Sequence, residues 1–180
     1  MSGPPHAVII ATTSLFVGSC IACDLRTRRI PNALTGPVIL AGFALNAWSF
    51  GWSGAQASLA GFGLAIALLL APFAAGGIGG GDVKMMGAVG ALLGPRLVLV
   101  SMVVGLSLGG VFAVVHLARI ARLREKLRNL RQMMANAAMS VSLTPLQISA
   151  DAPGAVALPY SLPLGLGTLC ALASTLIGRA

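Results

Sequence analysis

The sequence predicts an all-α polytopic membrane protein with six transmembrane helices. Hydrophobic residues make up 57% of its 180 residues and charged residues only 9%, whereas a soluble domain is typically about 25% charged. The apolar runs are long enough for five or six helical spans of roughly 20 residues each. Because they leave no stretch for a separate soluble domain, we expect residues 1–180 to form a single membrane-embedded domain.

The formal charge of +8 indicates topology more than a nucleic-acid partner. Nucleic-acid binding needs basic residues on a soluble, folded face, but here they lie in clusters between apolar runs. Cytoplasmic loops of membrane proteins carry an excess of Lys and Arg, so we expect both clusters on the cytoplasmic side and no nucleic-acid partner. The clusters are Arg26, Arg28 and Arg29, and then Arg119, Arg122, Arg124, Lys126, Arg128 and Arg131.

Six apolar runs follow one another along the chain. The expected spans are residues 6–23, 32–50, 55–75, 83–93, 97–118 and 162–177. The fourth run would form roughly 17 Å of helix, so it is either a short buried span or a re-entrant segment. We favour a short span, because the fifth run then ends at the second basic cluster on the cytoplasmic side and both termini lie on the far side.

Residues 119–159 are expected to form a cytoplasmic amphipathic helix followed by a loop. Apolar residues recur at spacings of three and four from Ile120 to Met134, with basic residues between them, a pattern typical of an interfacial helix. Residues 135–159 show no sustained period and contain Pro and Gly, which indicates a loop. Anionic headgroups of membrane lipids are the expected partner of the basic face.

The three cysteines indicate neither a disulfide framework nor a metal site. Cys20, Cys23 and Cys170 are odd in number and lie within or beside apolar segments. Cys20 and Cys23 form a C-x-x-C pair, but a tetrahedral zinc site needs four ligands and no second pair follows at a usable spacing. We therefore expect no metal ion and no cofactor.

Two of the four acidic residues stand out by position. The four are Asp24, Asp82, Glu125 and Asp151. An ionisable group beside an apolar span is costly to bury and is a candidate functional site. Asp24 follows the first span and Asp82 precedes the fourth, so both are expected at the cytoplasmic face. There they could form an aspartyl dyad, in which an ionised carboxyl activates water and a protonated one polarises the scissile carbonyl.

Each aspartate also has a structural interpretation. Asp82 could cap the fourth helix, and Asp24 could be a solvated residue balanced by Arg26 or Arg28. Capping and catalysis are compatible, because a helix N-terminus favours the ionised form of Asp82. The position of both residues on one face, in a chain this poor in acids, favours catalysis.

Three consecutive glycines, Gly79, Gly80 and Gly81, directly precede Asp82. Without Cβ atoms they allow close backbone approach and conformations with φ above zero. A protease must hold its substrate unwound, often as an added strand, and a glycine-rich loop suits that need. We therefore expect these glycines to bind the substrate.

Together these motifs resemble the type IV prepilin peptidase family. The family pattern is an Asp in the first cytoplasmic loop and a G-x-G-D motif before a later span. It is matched here by Asp24 with I-P-N at residues 30–32, and by G-G-G-D-V-K-M at residues 79–85. The resemblance covers roughly residues 20–94, and L-P-Y at residues 158–160 also fits.

The resemblance implies that Asp24 and Asp82 are the catalytic aspartates of an intramembrane aspartyl endopeptidase. Such an enzyme removes a short basic leader from a prepilin, ahead of its apolar helix, at the cytoplasmic face of the bacterial inner membrane. Longer members carry paired C-x-x-C motifs in an extra segment associated with N-methylation of the new terminus. Here Pro31 follows Asp24 after only a few residues, so the chain resembles the short, peptidase-only form often associated with tight-adherence (Flp) pili.

A basic residue beside the motif suggests a further role. We expect Lys84 to orient an acidic residue near the start of the pilin helix.

Other function classes fit parts of the sequence. A serine intramembrane protease could use Ser53 with His116 as base, but the expected topology puts them at opposite ends of their spans, beyond hydrogen-bond reach. A small transporter or proton-coupled channel would place ionisable groups near the midplane, whereas both aspartates are expected at the cytoplasmic edge. A non-catalytic pilus-assembly subunit, with Asp82 only a cap, is the remaining alternative.

Overall fold

The computed structural model of the chain describes residues 4–119 and 160–177. Four helical elements account for nearly all of them, and no strand occurs in these ranges. The prediction of an all-α protein is confirmed. The elements are α1 (Pro4–Thr27), α2 (Asn32–Ala74), α3 (Gly80–Arg119) and α4 (Ser161–Ile177).

Three of these helices are long and apolar enough to cross a membrane, as judged by length and composition. They are α1, α2 and α3, whereas α4 is apolar but shorter. The structure does not show six separate spans, because two of its four elements are each continued through a break at a glycine. These breaks fall where the sequence predicts turns, at residues 51–54 and 94–96.

The first break folds α2 back on itself. As a straight helix, its 43 residues would extend about 65 Å, twice the thickness of a bilayer core. Gly51 has a φ of 62° and a ψ of −144°, which are not helical. Ser58 Oγ lies 3.4 Å from Gly42 O, although the intervening length of straight helix would separate them by about 24 Å. The chain therefore reverses at Gly51.

The second break does the same for α3. Gly94 has a φ of 78° and a ψ of 178°. Gly109, in the second half of α3, packs against Tyr160 at the start of α4. Asp82, in the first half, lies near Asp24, whose carboxylate contacts the same end of α4. Because both halves reach one end of the bundle, the chain reverses at Gly94.

The end of α1 differs from the prediction. The sequence predicts an end at residue 23, but the helix continues to Thr27. It closes at Arg28, which has a φ of 51° and donates its N–H to Asp24 O at 2.8 Å. Asp24 therefore lies in the last turn of a helix and not in a loop.

Small and polar residues hold α2 against α3 at backbone contact. A Cβ atom added at Gly61 of α2 would collide with Gly90 O of α3. Beside this crossing, the buried side chains of Asn46 and Ser58 donate hydrogen bonds to Ala91 O at 3.1 Å and 2.7 Å. Such packing is typical of helices that associate in lipid. The crossing fixes the helix that carries Asp82 against α2.

Two glycines bring α4 equally close to α1 and α3. A Cβ atom added at Gly165 would lie 2.7 Å from Ile21 Cδ1, and one at Gly167 would lie 2.7 Å from Gly105 Cα. Both distances are well below an ordinary carbon–carbon contact of about 3.5–4.0 Å. Helix α4 is thus wedged between α1 and α3.

Large apolar side chains cover the outside of the bundle, as expected where a protein faces lipid. Leu15 and Leu40 are 76% and 70% exposed. Trp48 and Trp52 flank the turn at Gly51 and are also exposed. Tryptophan is enriched at membrane interfaces, so this end of the bundle has the character of an interface. The predicted amphipathic helix and loop of residues 119–159 lie outside the described residues, apart from Arg119, which ends α3.

Candidate active site

Asp24 lies on the face of α1 that packs against α4. Val17, Ile21 and Asp24 recur at helical spacing, and the first two contact Gly165 of α4. One turn before Gly165, the Ser161 hydroxyl donates to Asp24 Oδ2 at 2.5 Å. The half-buried carboxylate thus lies at the N-terminus of α4, where unpaired backbone N–H groups favour negative charge.

Asp82 lies in the first turn of α3 and is only 8% exposed. The helix begins at Gly80, so Asp82 is its third residue and not the residue before it. Its backbone N–H donates to Gly79 O at 3.0 Å, and its carboxyl accepts a hydrogen bond from the Gly79 backbone N–H. This return bond is one half of a capping box, so the carboxyl does cap the helix start.

The structure brings Asp24 and Asp82 to one end of the bundle. They are close enough for the charge of Asp24 to act on Asp82, and both act on Cys20, one turn before Asp24. Cys20 is fully buried beneath them. The two carboxyls come from different helices, so their proximity is a product of the tertiary fold.

The backbone of residues 79–81 differs from the expectation. None of these three glycines has a positive φ; in this connection the glycine with positive φ is Gly76, at 72°. The positive φ that glycine permits is therefore not used at residues 79–81. Close approach is what the structure shows instead: a Cβ atom at Gly79 would lie 3.3 Å from Asp82 Oδ2.

The other two glycines leave room for neighbouring side chains. A Cβ atom at Gly80 would lie 3.3 Å from the ring of Phe73, and one at Gly81 would lie 3.2 Å from Ile30 Cβ. Both separations are tighter than an ordinary van der Waals contact. Glycine at these positions lets the end of α2 and the connection after α1 pack directly on the start of α3.

Lys84 lies at the rim of the same end. Its side chain is exposed, and Nζ donates to Asn32 Oδ1 at 2.8 Å. Asn32 is the first residue of α2, so this bond ties the start of α2 to the start of α3. The ammonium group is thereby held on the exposed side of the first turn of α3.

Sequence reasoning misses Ser161 and Asn32, although a local signal exists for the serine. Ser161 precedes an apolar run and is followed two positions later by Pro163, which is typical of a helix start. That signal predicts a helix boundary but not a partner. The contact of Ser161 with Asp24 depends on how α4 packs against α1.

Two cavities lie away from the aspartates. One, of about 360 Å³, is at the end of the bundle that carries the turn at Gly51 and is lined by His6 and Ser53 among others. The second, of about 350 Å³, is an apolar groove between α3 and α4. Neither is lined by an acidic residue, so we locate the candidate site at the two carboxyls.

The geometry around Ser53 does not support the alternative of a serine protease. The Ser53 hydroxyl is exposed and donates to Phe50 O at 2.8 Å. The side chain of His116 lies outside the described part of the chain. The histidine that lines the first cavity together with Ser53 is His6.

Acid–base groups dominate the side chains that meet at the candidate site. Two carboxyls and one hydroxyl can act as base, acid and hydrogen-bond donor. Among the described residues, no three His, Cys, Asp or Glu side chains lie together as a metal site. The three cysteines are free thiols.

Comparison with known proteins places the chain in a family. A family model described as the type IV leader peptidase family matches residues 10–114, more than half of the 180 residues. The chain belongs to this family. Neither the curated proteins nor the solved structures gave a significant match.

Family membership confirms the resemblance drawn from the two motifs. It implies a protease with the general role of a type IV leader peptidase and a prepilin as substrate. The long apolar helices agree with a membrane protein. The matched range contains both Asp24 and Asp82 and ends before α4.

Proposed function

We propose that this chain is an intramembrane aspartyl endopeptidase that removes the leader peptide from type IV, Flp-like prepilins by means of Asp24 and Asp82. The observation that carries the proposal is the meeting of these two carboxyls, from α1 and α3, at one end of the bundle. Each also lies at a helix N-terminus, α4 for Asp24 and α3 for Asp82. Membership of the leader peptidase family supports the same reaction.

Two carboxyls suffice for hydrolysis of a peptide bond. One carboxylate takes a proton from a water molecule as the water oxygen attacks the carbonyl carbon, while the other carboxyl donates its proton to the carbonyl oxygen. When the tetrahedral intermediate collapses, the carbon–nitrogen bond breaks, the leaving amine takes the proton held by the first carboxyl, and a hydroxyl of the intermediate returns a proton to the second carboxylate, which restores both groups. The pair works because two close carboxyls do not both ionise, which supplies an acid and a base together.

We propose that residues 79–81 bind the substrate backbone. Peptide bonds inside a helix are protected by their own hydrogen bonds, so the cleavage site has to be presented unwound. The connection from α2 to α3 is exposed at Gly76, Gly77 and Gly79. Of these, Gly79 offers backbone without a side chain directly beside the Asp82 carboxyl.

For Lys84 we propose recognition of an acidic residue near the start of the pilin helix. Its ammonium group is exposed at the site end of the bundle and held by Asn32. Lys84→Ala should raise KM for wild-type prepilin, whereas a prepilin without that acidic residue should be processed equally by both enzymes. Asn32→Ala is the control for loss of the hydrogen bond alone. Unchanged processing of wild-type prepilin by Lys84→Ala would remove this role.

For the topology we propose six crossings, with each half of α2 and α3 crossing once and the aspartates facing the cytoplasm of the bacterial inner membrane. The reversals at Gly51 and Gly94 support this count. The basic cluster of residues 26–29 lies at the aspartate end, and basic loops face the cytoplasm. Single cysteines placed in a variant without native cysteines, at residues 52 and 77, should react with an impermeant maleimide from opposite sides of the membrane.

We also propose that residues 1–180 act as one peptidase domain without N-methyltransferase activity. The connection between α1 and α2 is only residues 28–31, which is too short for an inserted segment. Residues 119–159 are assigned to a cytoplasmic amphipathic helix and loop that bind anionic lipid.

The decisive experiment compares three proteins on one substrate. Wild type, Asp24→Asn and Asp82→Asn are purified in detergent and incubated with a Flp-like prepilin, and the leader is followed by mass spectrometry. Each substitution preserves shape but removes an acid–base group, so cleavage should fall by roughly 10²- to 10⁴-fold. Equal cleavage by all three would disprove the aspartyl mechanism. A transporter or a non-catalytic assembly subunit would leave the prepilin uncut even by wild type.

A further inference from the structure

Ser161 is hydrogen-bonded to one of the two aspartates, Asp24. It is the first residue of α4 and is fully buried. Its hydroxyl donates to Asp24 Oδ2, the side-chain bond through which α4 reaches the candidate site. Asp82 has a different donor, the backbone N–H of Gly79 on its own chain segment.

The position of Ser161 is rigid because α4 is wedged at two levels. One turn further along α4, Gly165 packs against Val17 and Ile21, the residues that share the face of Asp24 on α1. Gly167 packs against the backbone of α3. The hydroxyl is therefore held at Asp24 by the packing of the helices and not by a flexible loop.

We propose that Ser161 is a positioning residue that keeps Asp24 as the carboxylate that activates water, which leaves Asp82 as the proton donor. This inference rests on the proposed aspartyl peptidase function. A hydroxyl that donates to a carboxyl stabilises its charged form, and the two carboxyls do not both ionise. The Gly79 N–H does the same for Asp82, but Asp82 is buried, and burial disfavours the charged form. Asp24 is also the more exposed of the pair, so water has better access to it.

The helix dipole does not make this distinction. Asp82 lies at the N-terminus of α3 and Asp24 at that of α4, so both carboxyls experience a favourable helix end. The expectation that Asp82 is the ionised partner used only this dipole. Each carboxyl also accepts a hydrogen bond, so the two differ in burial and in the source of the donor: Asp82 is buried and bonded by its own segment, whereas Asp24 is half-buried and bonded by a hydroxyl from another helix.

The first test is kinetic and uses four proteins. We expect Ser161→Ala to lower kcat for prepilin cleavage by about 10- to 100-fold with little change in KM, since a misplaced catalytic group costs up to about 10²-fold. Ser161→Thr keeps the hydroxyl and should retain most of kcat. Ser101→Ala removes another fully buried hydroxyl, one that donates to Leu97 O in its own helix, and should cleave like wild type.

The second test reports directly on which carboxyl is ionised. A small epoxide is opened by a carboxylate, which forms an ester as the ring carbon–oxygen bond breaks and the alkoxide takes a proton from water; a protonated carboxyl does not react in this way. We expect the ester on Asp24 in the wild-type protein and less of it in Ser161→Ala. Because that substitution does not bury Asp24, lower labelling reports a change of ionisation and not of access.

Three results would overturn the inference. One is an ester formed chiefly on Asp82 in the wild type. Another is a Ser161→Ala variant whose KM rises while its kcat is unchanged. The third is a decrease in kcat that is the same in Ser161→Ala and in Ser101→Ala. The proposed function fails separately, if Asp24→Asn and Asp82→Asn still cleave. Thermal unfolding of each variant in detergent shows whether the fold is retained.

Discussion

Replacing Gly61 with alanine should strain the crossing between α2 and α3. Gly61 and Gly90 face each other at backbone contact, and an added Cβ atom would collide with Gly90 O. It would also lie 2.7 Å from the carbonyl carbon of Gly94. An ordinary contact needs about 3.5 Å, so the two helices have to separate by at least about 0.8 Å, and by more where Gly90 O is closer still.

The free-energy cost follows from the kind of atoms involved. The obstacles are backbone atoms of α3 next to its reversal at Gly94, so no side chain can rotate away. Overpacking of this sort costs about 1–3 kcal/mol. For a chain of this size, 1 kcal/mol shifts Tm by roughly 2–4 °C, so Gly61→Ala should lower Tm by roughly 2–12 °C.

Gly63→Ala is the matched control on the same helix. Gly63 is exposed and no atom lies within 4 Å of its added Cβ. The same substitution there should leave Tm unchanged or raise it slightly, because alanine favours a helix over glycine. Thermal unfolding is followed by far-UV circular dichroism in one detergent and at one scan rate, since unfolding of such proteins is often irreversible.

The strain should also reach the candidate site. Asp82 lies about two turns before Gly90 on the same helix, so separation of the helices moves it relative to Asp24. Gly61→Ala should therefore cleave prepilin more slowly than Gly63→Ala at a temperature where both are folded. Equal Tm and equal cleavage for the two variants would refute the account of this crossing.

Three further substitutions test other contacts. Asn46→Leu removes donors to carbonyl oxygens of both α2 and α3 and should destabilise the protein by about 1–2 kcal/mol; an unchanged Tm would show that these bonds contribute nothing. Gly167→Ala should lower Tm more than Gly165→Ala, because the first meets the backbone of α3 and the second meets a movable isoleucine side chain; the reverse order would contradict the packing of α4. Gly79→Ala adds a methyl group beside the Asp82 carboxyl. It should reduce kcat by roughly tenfold or less and leave Tm nearly unchanged. An unaltered kcat would mean that the Asp82 carboxyl is not confined by this glycine.

Local features of the chain predict most of the helical architecture. The start near residue 32 and the reversals near residues 51 and 94 are predictable, because apolar runs form helices and glycine is favoured where φ is positive. The end of α1 is less predictable. A polar, basic stretch is typical of a loop, but the helix continues to Thr27, whose side-chain hydroxyl donates to Cys23 O one turn earlier.

The candidate site is only partly contained in the sequence pattern. The scarcity of acids and the glycines beside Asp82 single out both aspartates, because charge beside an apolar span requires a reason. The pattern also suggests a glycine-rich loop at residues 79–81, whereas the structure has Gly80 and Gly81 in the first turn of α3. The sequence pattern does not identify Ser161 as a site residue, because its contact with Asp24 joins two helices that are far apart in the chain.

By itself, the sequence determined that this is an all-α, membrane-type protein of the leader peptidase family and that Asp24 and Asp82 are the residues to explain. These conclusions depend on hydropathy, charge and short motifs, which are local properties. The tertiary structure decided that α2 and α3 fold back at glycines, that the two carboxyls lie at one end of the bundle, and that a serine of α4 donates to one of them. Those features depend on backbone contacts between residues distant in sequence, which only the packed helices bring together.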